Sequence, residues 1–160
     1  MEELLKIYGK VNQFGKENGL LLTVLKPGNI TYEMEVLPKH LATQTTIHGG
    51  MVAAMMDGVI GVAALSLVAL EGKLVSTVEF KINYYRPVYL GDVLKGEGRV
   101  DFRGNRLIAS SGEIYNQHGE MVAKAMGTFN AYPFEKNDIA NFCENEWFMN
   151  YDLRFKQILI

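Results

Sequence analysis

The chain has 160 residues, a net charge of −2 and a hydrophobic content of 48%. This size and composition predict one globular domain that is long enough to bury a core. The absence of Lys/Arg clusters argues against a nucleic acid or an anionic membrane as the main partner. The single cysteine, Cys143, excludes an intramolecular disulfide, and the acidic start of the chain lacks an apolar signal core, so we expect a cytoplasmic protein.

The first third of the chain predicts a helix followed by a hairpin. Apolar residues at helical spacing predict a short amphipathic helix over about residues 2–15. Two β-rich segments, Leu20–Leu25 and Ile30–Val36, flank the turn Lys26–Asn29 and predict the hairpin. A loop over Pro38–Ile47 follows.

The next segment, Met51–Leu70, is an apolar run whose one charged residue is Asp57. At 1.5 Å per residue it would form a helix of about 30 Å, which is long enough to span a bilayer. We reject a membrane span because an aspartate near the middle costs about 2.5–3.5 kcal/mol to insert, and because no Lys/Arg cluster flanks the run. A helix that is apolar on all sides is also typical of the buried axis of a soluble fold.

Four strands are predicted after this helix. In the first, Val75–Arg86, apolar and polar residues alternate, which places Thr77 on the polar face. The apolar face of that strand comprises Val78, Phe80, Ile82 and Tyr84. Turn signals separate three further strands at Asp92–Phe102, Leu107–Tyr115 and Met121–Tyr132. A curved antiparallel sheet around one buried helix satisfies all of these apolar faces, so we predict an α+β fold.

The tripeptide His48-Gly49-Gly50 directly precedes the apolar helix. Two glycines let a backbone amide approach a ligand closely, and the positive end of the helix points at this position. The pattern therefore predicts an amide donor for a polarised carbonyl. A histidine by itself is more often structural, and it is the two glycines that favour a functional interpretation.

Asp57 lies nine residues after His48. At about 100° per residue, two such positions on one helix point to opposite sides and lie about 13 Å apart along the axis. One chain does not easily close a site from both groups, whereas two antiparallel helices would bring the glycine end of one to the aspartate of the other. We therefore predict an obligate homodimer with two composite sites, provided that His48 lies on the helix rather than before its first turn.

Several short motifs occur in order along the chain. They are His48-Gly49-Gly50 with Asp57, the strand leading into Arg86-Pro87, Gly91-Asp92, Gly104-Asn105-Arg106, Asn116–Ala123 and Gly127-Thr128-Phe129. With this set the chain resembles the hotdog-fold thioesterases of the PaaI-like branch over roughly residues 30–132. The resemblance implies a hotdog domain within residues 1–132. It also implies hydrolysis of an acyl-CoA thioester in a cleft between two subunits, without a metal or other cofactor.

The resemblance further implies roles for individual residues. The Gly49 amide polarises the thioester carbonyl, Asp57 of the partner subunit is the nucleophile or the general base, and His48 helps to fix the loop and the substrate. Thr77 assists the acid or its water, with a solvated strand residue as the alternative interpretation. The substrate-binding candidates are Gly50, Gln44, Met56, Arg86, Asn105 and Arg106.

Two of these assignments depend on local sequence. The family often has an asparagine six residues before the histidine, where this chain has Ala42, so that its task would pass to Gln44 or Thr46. The basic and amide groups Arg86, Asn105 and Arg106 would contact the CoA phosphates, with solvated turn residues as the alternative.

The acyl pocket and the remaining histidines complete the set of site predictions. Flexible methionines near the start of the helix, including Met56, would line a pocket that accepts many acyl shapes. His40 and His118 lie in polar loops, and we expect both to be solvated.

Other functional classes stay open beside the thioesterase. A hotdog hydratase or dehydratase of acyl thioesters is disfavoured by the two glycines, and a catalytically weak acyl-CoA binding module is favoured by Ala42. No Gly-x-Ser-x-Gly frame, zinc-ligand spacing or phosphate-binding loop is present in the sequence. The aromatic-rich segment 133–160 predicts an extension docked on the same domain or on a neighbouring subunit, and pairing of dimers into tetramers is left open.

Overall fold

The computed structural model describes Tyr8 and residues 12–133, and this part of the chain contains the following elements. The helices are α1 (Gln13–Glu17) and α2 (Gly49–Val68). The strands are β1 (Leu21–Lys26), β2 (Asn29–Glu35), β3 (Lys73–Tyr84), β4 (Val93–Arg103), β5 (Leu107–Tyr115) and β6 (Met121–Pro133). Short 3-10 turns at Pro38–His40 and Ala69–Glu71 lie before and after α2.

The six strands form one antiparallel sheet in the order β1-β2-β4-β5-β6-β3. Helix α2 packs against every strand from β2 to β6, so the sheet wraps around it. This arrangement confirms the predicted α+β hotdog fold. The predicted strand boundaries are correct to within about two residues, because apolar alternation and turn residues fix them locally.

Glycines on the inner face of the sheet allow α2 to approach it closely. A Cβ on Gly98 of β4 would overlap the backbone carbonyl of Val59 in α2, and one on Gly112 of β5 would lie 2.8 Å from the Ile60 side chain. At these two positions the helix lies directly on the backbone of the sheet. These contacts therefore fix the distance between the axis of α2 and the backbones of β4 and β5.

The apolar residues of α2 supply the core. Met55, Met56, Val59, Ile60 and Ala63 have no exposed surface. By length and composition, the stretch Gly49–Glu71 is apolar enough to cross a membrane, and 56% of its most apolar window is buried inside the protein. The sheet covers the faces that an isolated apolar helix would leave open.

Strand β3 departs from the predicted alternation. Its pairing with β6 shifts register between Thr77 and Glu79, so that Val78 is an extra residue in a β-bulge. Val78 is 58% exposed, whereas Phe80 packs against the core. The prediction that Val78 shares the apolar face of Phe80 is therefore wrong, because the bulge reverses the direction of the side chains that precede it.

The loop before α2 is organised around a buried histidine. His40 is 1% exposed, its Nδ1 accepts a hydrogen bond from the Leu37 backbone N–H at 3.1 Å, and its carbonyl accepts from the His48 N–H at 2.8 Å. The prediction that His40 is solvated is wrong, because the loop folds back onto the core. His118, in contrast, is exposed as predicted.

Two predicted segments fall mostly outside the described residues. Of the predicted N-terminal helix, Tyr8 is helical and α1 begins at Gln13. The predicted extension beyond Pro133 is not described, so the division of the chain at residue 132 stays a prediction.

A methyl group on the sheet should separate α2 from β4. We expect Gly98→Ala to lower the free energy of unfolding by about 1–3 kcal/mol, because the new Cβ displaces the Val59 carbonyl. Gly58→Ala is the matched control, since a Cβ there meets Tyr32 at an ordinary 3.6 Å and alanine favours a helix. Urea unfolding monitored by circular dichroism measures both. Equal free energies of unfolding for Gly98→Ala and Gly58→Ala would contradict the close approach of α2 to β4.

Acidification should weaken the fold through His40. Burial and, to a smaller extent, the charge of Lys39 lower the pKa of His40 below 6.5. The unfolded chain therefore binds this proton more readily, and stability is lost as the pH falls below about 6.5. We expect His40→Asn, which keeps an acceptor for the Leu37 N–H, to flatten this part of the pH dependence, and His118→Asn to leave it unchanged. The free energy of unfolding in urea is measured at several pH values. The same pH dependence for His40→Asn and the unmodified protein would refute this role.

Candidate active site

The N-terminus of α2 presents an unpaired amide. His48 is the N-cap residue, and its Nδ1 accepts a hydrogen bond from the Gly50 N–H at 2.9 Å. The Gly49 N–H has no acceptor among Tyr8 and residues 12–133, and a Cβ on Gly49 would meet nothing within 4 Å. The positive end of the helix dipole therefore carries a free donor that faces open space.

The His48 ring caps the N-terminus of α2. Because Nδ1 accepts from Gly50, the neutral ring carries its proton on Nε2. The His48 carbonyl accepts from the Met51 N–H at 2.9 Å. Both groups fix the first turn of α2, and with it the direction of the Gly49 amide. His48 precedes the helical residues, so its own angle around the helix does not enter the separation from Asp57.

A small cleft opens beside Gly49. It has a volume of about 190 Å³ and is lined by Thr46, Ile47, Gly49, Val52, Tyr84, Arg86, Pro87, Val88 and Val122. The Tyr84 hydroxyl donates a hydrogen bond to the Gly49 carbonyl at 3.2 Å. Arg86, at the rim, donates to the Met121 carbonyl at 2.8 Å and lies 3.6 Å from a Glu120 carboxylate oxygen. The cleft therefore opens at the N-terminus of α2, where Gly49 forms part of its wall.

Asp57 is paired with Thr77 in the same chain. The Thr77 hydroxyl donates to Asp57 Oδ1 at 2.8 Å. The bulge at Val78 places Thr77 on the helix side of β3, where strict alternation from Phe80 would have turned it away. Thr77 is at the same time exposed to solvent and hydrogen-bonded to Asp57, so its catalytic role stays a prediction. The Asp57 Oδ2 has no hydrogen-bond partner within the described part of the chain.

The amide and the carboxylate lie too far apart to act on one bond within a chain. Gly49 and Asp57 are eight residues apart on the continuous helix α2, which corresponds to about 12 Å along its axis. A thioester bound at the Gly49 amide therefore lies out of reach of Asp57 of the same chain.

The remaining candidates lie at different places. Gln44 is exposed in the loop, where the Thr43 and Thr46 hydroxyls are hydrogen-bonded to each other. Gly50 follows Gly49 in the first turn of α2, and its N–H is already used by His48. Met56 is fully buried in the core, so the structure does not bring it to the cleft.

Asn105 and Arg106 occupy the exposed turn between β4 and β5. The neighbouring Arg103 forms an ion pair with Glu71, just after the C-terminal end of α2. This contact places the turn at the opposite end of the helix from Gly49. Within one chain, the structure brings Arg86 to the Gly49 cleft but not Asn105 or Arg106.

Sequence reasoning missed the role of Tyr84. Its alternation with Phe80 and Ile82 predicts a core residue, whereas Tyr84 is 51% exposed and its hydroxyl donates to the Gly49 carbonyl in the first turn of α2. A tyrosine on an apolar strand face is itself a signal, because a phenol hydroxyl seeks a hydrogen-bond partner.

A metal site would need a cluster of ligating side chains. Tyr8 and residues 12–133 contain no group of three or more His, Cys, Asp or Glu side chains that could hold an ion.

Comparison with known proteins identifies the family to which this chain belongs. The thioesterase superfamily model matches residues 44–123, half of the chain. A putative esterase of Archaeoglobus fulgidus is 30% identical over 104 residues, which are 65% of this chain and 65% of that protein. Human acyl-coenzyme A thioesterase 13 is 27% identical over 131 residues, which are 80% of this chain and 91% of that protein. The chain thus spans just under two thirds of the first relative and most of the second.

Solved structures share the architecture. The Escherichia coli PaaI protein from the phenylacetic acid degradation operon superimposes with a TM-score of 0.74 at 22% identity, over 80% of this chain and 90% of that one. A Streptococcus mutans protein bound to acetyl CoA superimposes with a TM-score of 0.65 at 26% identity, over 71% and 89%. The family model and the fold agree with each other. The chain therefore belongs to the thioesterase superfamily and has the hotdog fold.

Proposed function

We propose that the protein hydrolyses acyl-CoA thioesters in a site shared by two subunits. The observation that carries the proposal is the free Gly49 amide at the start of α2, together with the Asp57–Thr77 pair farther along the same helix. Relatives named acyl-coenzyme A thioesterase and neighbours solved with acetyl CoA or coenzyme A support the substrate class.

The reaction follows from the two halves of the site. The Gly49 N–H donates a hydrogen bond to the thioester oxygen and stabilises the negative charge that develops on it, aided by the helix dipole. Asp57 of the partner subunit attacks the carbonyl carbon or removes a proton from the water that does so. If Asp57 attacks, the C–S bond breaks as a mixed anhydride forms, and water then hydrolyses that anhydride; if water attacks, the C–S bond breaks and the acid forms directly. In both cases the thiolate takes up a proton that comes from the water. Written in this way, the reaction needs no cofactor.

A second subunit would bring its Asp57 carboxylate within reach of a thioester bound at the Gly49 amide. Strand β3 is an edge of the sheet, with one side unpaired within the described residues and with Val78 and Tyr84 exposed. Such an edge favours pairing with another strand. Two antiparallel copies of α2 would set the Gly49 amide of one chain against Asp57 of the other. Association of two such dimers into a tetramer stays open.

Antiparallel packing of two subunits would also bring their basic residues together. Arg86 lies at the rim of the Gly49 cleft, while Asn105 and Arg106 lie at the far end of α2. In the dimer the far end of one helix approaches the near end of the other, so we infer that Asn105 and Arg106 of the partner subunit join Arg86 around the CoA phosphates. His48, Gly50 and Gln44 would border the entrance. A cytoplasmic location is part of this proposal and agrees with a chain that has one cysteine.

Thiol release from a panel of acyl-CoAs tests the function. We expect at least one acyl-CoA to release CoA, and Asp57→Asn to abolish that release while keeping the oxygen that accepts from Thr77. Double-bond hydration without thiol release would favour a hydratase. Binding without turnover, by both the unmodified protein and Asp57→Asn, would favour a binding module.

Proline at position 49 removes the amide donor with little effect on the helix. Gly49 is the first residue of α2 and follows His48 in an extended conformation, with φ −68° and ψ 128°, which proline accepts at its N-terminal side. We expect Gly49→Pro to lower kcat by about 10²–10³. Gly49→Ala is the matched control, because it keeps the N–H and its Cβ enters open space.

Mixing two inactive variants tests the shared site. Unfolded and refolded together, Asp57→Asn and Gly49→Pro should form mixed dimers in which one of the two sites is intact, restoring up to about a quarter of the activity. Each variant refolded alone is the baseline. Recovery no higher than this baseline, with mixed dimers confirmed by mass spectrometry, would place both groups in one chain and refute the composite site.

A further inference from the structure

Strand β3 contacts α2 through two side-chain hydroxyls. The Thr77 hydroxyl donates to the Asp57 carboxylate at 2.8 Å, and the Tyr84 hydroxyl donates to the Gly49 carbonyl at 3.2 Å. Both residues pair with fully buried residues of β6, so the two hydroxyls project from the core-facing side of β3. Each of the two functional groups of the proposed site therefore has a hydroxyl of the same strand beside it.

Gly49 lies between two peptide groups of the first turn of α2. The first carries the free Gly49 N–H, and its oxygen, the His48 carbonyl, accepts from the Met51 N–H at 2.9 Å. The second carries the Gly50 N–H, which donates to His48 Nδ1 at 2.9 Å. The oxygen of this second group is the Gly49 carbonyl, which accepts from the Tyr84 hydroxyl. Within the described part of the chain, the hydrogen bond from Tyr84 is the one that joins these two peptide groups to the sheet.

A glycine has little support of its own at this position. Its backbone is freer than that of any other residue, and a Cβ at Gly49 would meet nothing within 4 Å. A hydrogen-bond donor stabilises a developing negative charge best when its direction is fixed before the reaction begins. A hydrogen bond from the sheet to the Gly49 carbonyl restricts rotation about the adjoining backbone bonds, and it therefore restricts the direction of the free N–H.

The position of the Tyr84 ring allows the effect of its hydroxyl to be isolated. Tyr84 is the last residue of β3, and it lines the cleft beside Gly49. The next residue is tied to β6, since the Tyr85 N–H donates to the Val122 carbonyl at 2.8 Å. The sheet thus holds the backbone that carries the ring. A phenylalanine would keep the same wall of the cleft and lose the hydrogen bond.

We propose that Tyr84 is a positioning residue of the thioesterase site, whose hydroxyl holds the Gly49 carbonyl and thereby fixes the direction of the amide that binds the thioester oxygen. Tyr84 acts through Gly49, and it makes and breaks no covalent bond. Strand β3 then holds both halves of the site, with Thr77 beside the carboxylate and Tyr84 beside the amide. The inference rests on the proposed function, since the direction of the amide matters only if it binds the reacting oxygen.

Removal of the hydroxyl tests this role. We expect Tyr84→Phe to lower kcat about fivefold with KM changed less than about twofold, a loss typical of one neutral hydrogen bond. Tyr85→Phe is the matched control, because Tyr85 is 52% exposed, as against 51% for Tyr84, and its hydroxyl has no hydrogen-bond partner among the described residues. A kcat for Tyr84→Phe equal to that of Tyr85→Phe would overturn the inference, and so would a lower melting temperature with unchanged kcat.

A double variant tests whether Tyr84 acts through the amide. In Gly49→Pro the N–H is absent, so adding Tyr84→Phe should cause no further loss of kcat. A further loss of about fivefold in this background would show that Tyr84 acts by another route, and it would overturn the inference.

A measurement without substrate separates this inference from the proposed function. The order parameter of the Gly49 amide, measured by ¹⁵N relaxation, should fall in Tyr84→Phe and stay unchanged in Tyr85→Phe. An unchanged order parameter in Tyr84→Phe would overturn the inference, and it would leave the proposed function intact if the unmodified protein releases thiol. A lower order parameter in a protein that releases no thiol from any acyl-CoA would overturn the proposed function, and with it the catalytic task of Tyr84.

Discussion

Burial of the apolar helix α2 inside the sheet fixes the position of the candidate site. Helix α2 has apolar residues on every side, and five strands pack around it. Glycines such as Gly98 bring the sheet backbone directly against the helix, so α2 has little freedom to slide or rotate. Every functional group that α2 carries therefore has a fixed position relative to the sheet.

That rigidity explains how the helix combines two tasks. Its first turn exposes the Gly49 amide, because His48 caps Gly50 and leaves the preceding N–H without an acceptor in the described residues. Its middle carries Asp57, which the sheet reaches only through the irregular step in β3. The regular parts of the fold hold the helix in place, and the departures from regularity, a cap and a bulge, shape the chemistry.

The same geometry connects assembly with activity. Gly49 and Asp57 lie on one continuous helix, so their separation along the axis does not change without breaking the helix. The proposed second subunit would bring an equivalent pair together, and β3, which pairs on one side only within the described residues, would offer a surface for it.

Local patterns in the sequence predict the fold class and the boundaries of the main elements, and the structure confirms both, whereas the residues of the site stay predictions. Apolar periodicity and turn residues are local signals, and the order of motifs from His48 to Gly127 indicated the family. The folded structure shows that His40 is buried, that Val78 lies in a bulge and that Thr77 therefore reaches Asp57. It also separated Met56, which fills the core, from Tyr84, which touches Gly49. These outcomes depend on contacts between residues far apart in sequence, which a local pattern does not encode.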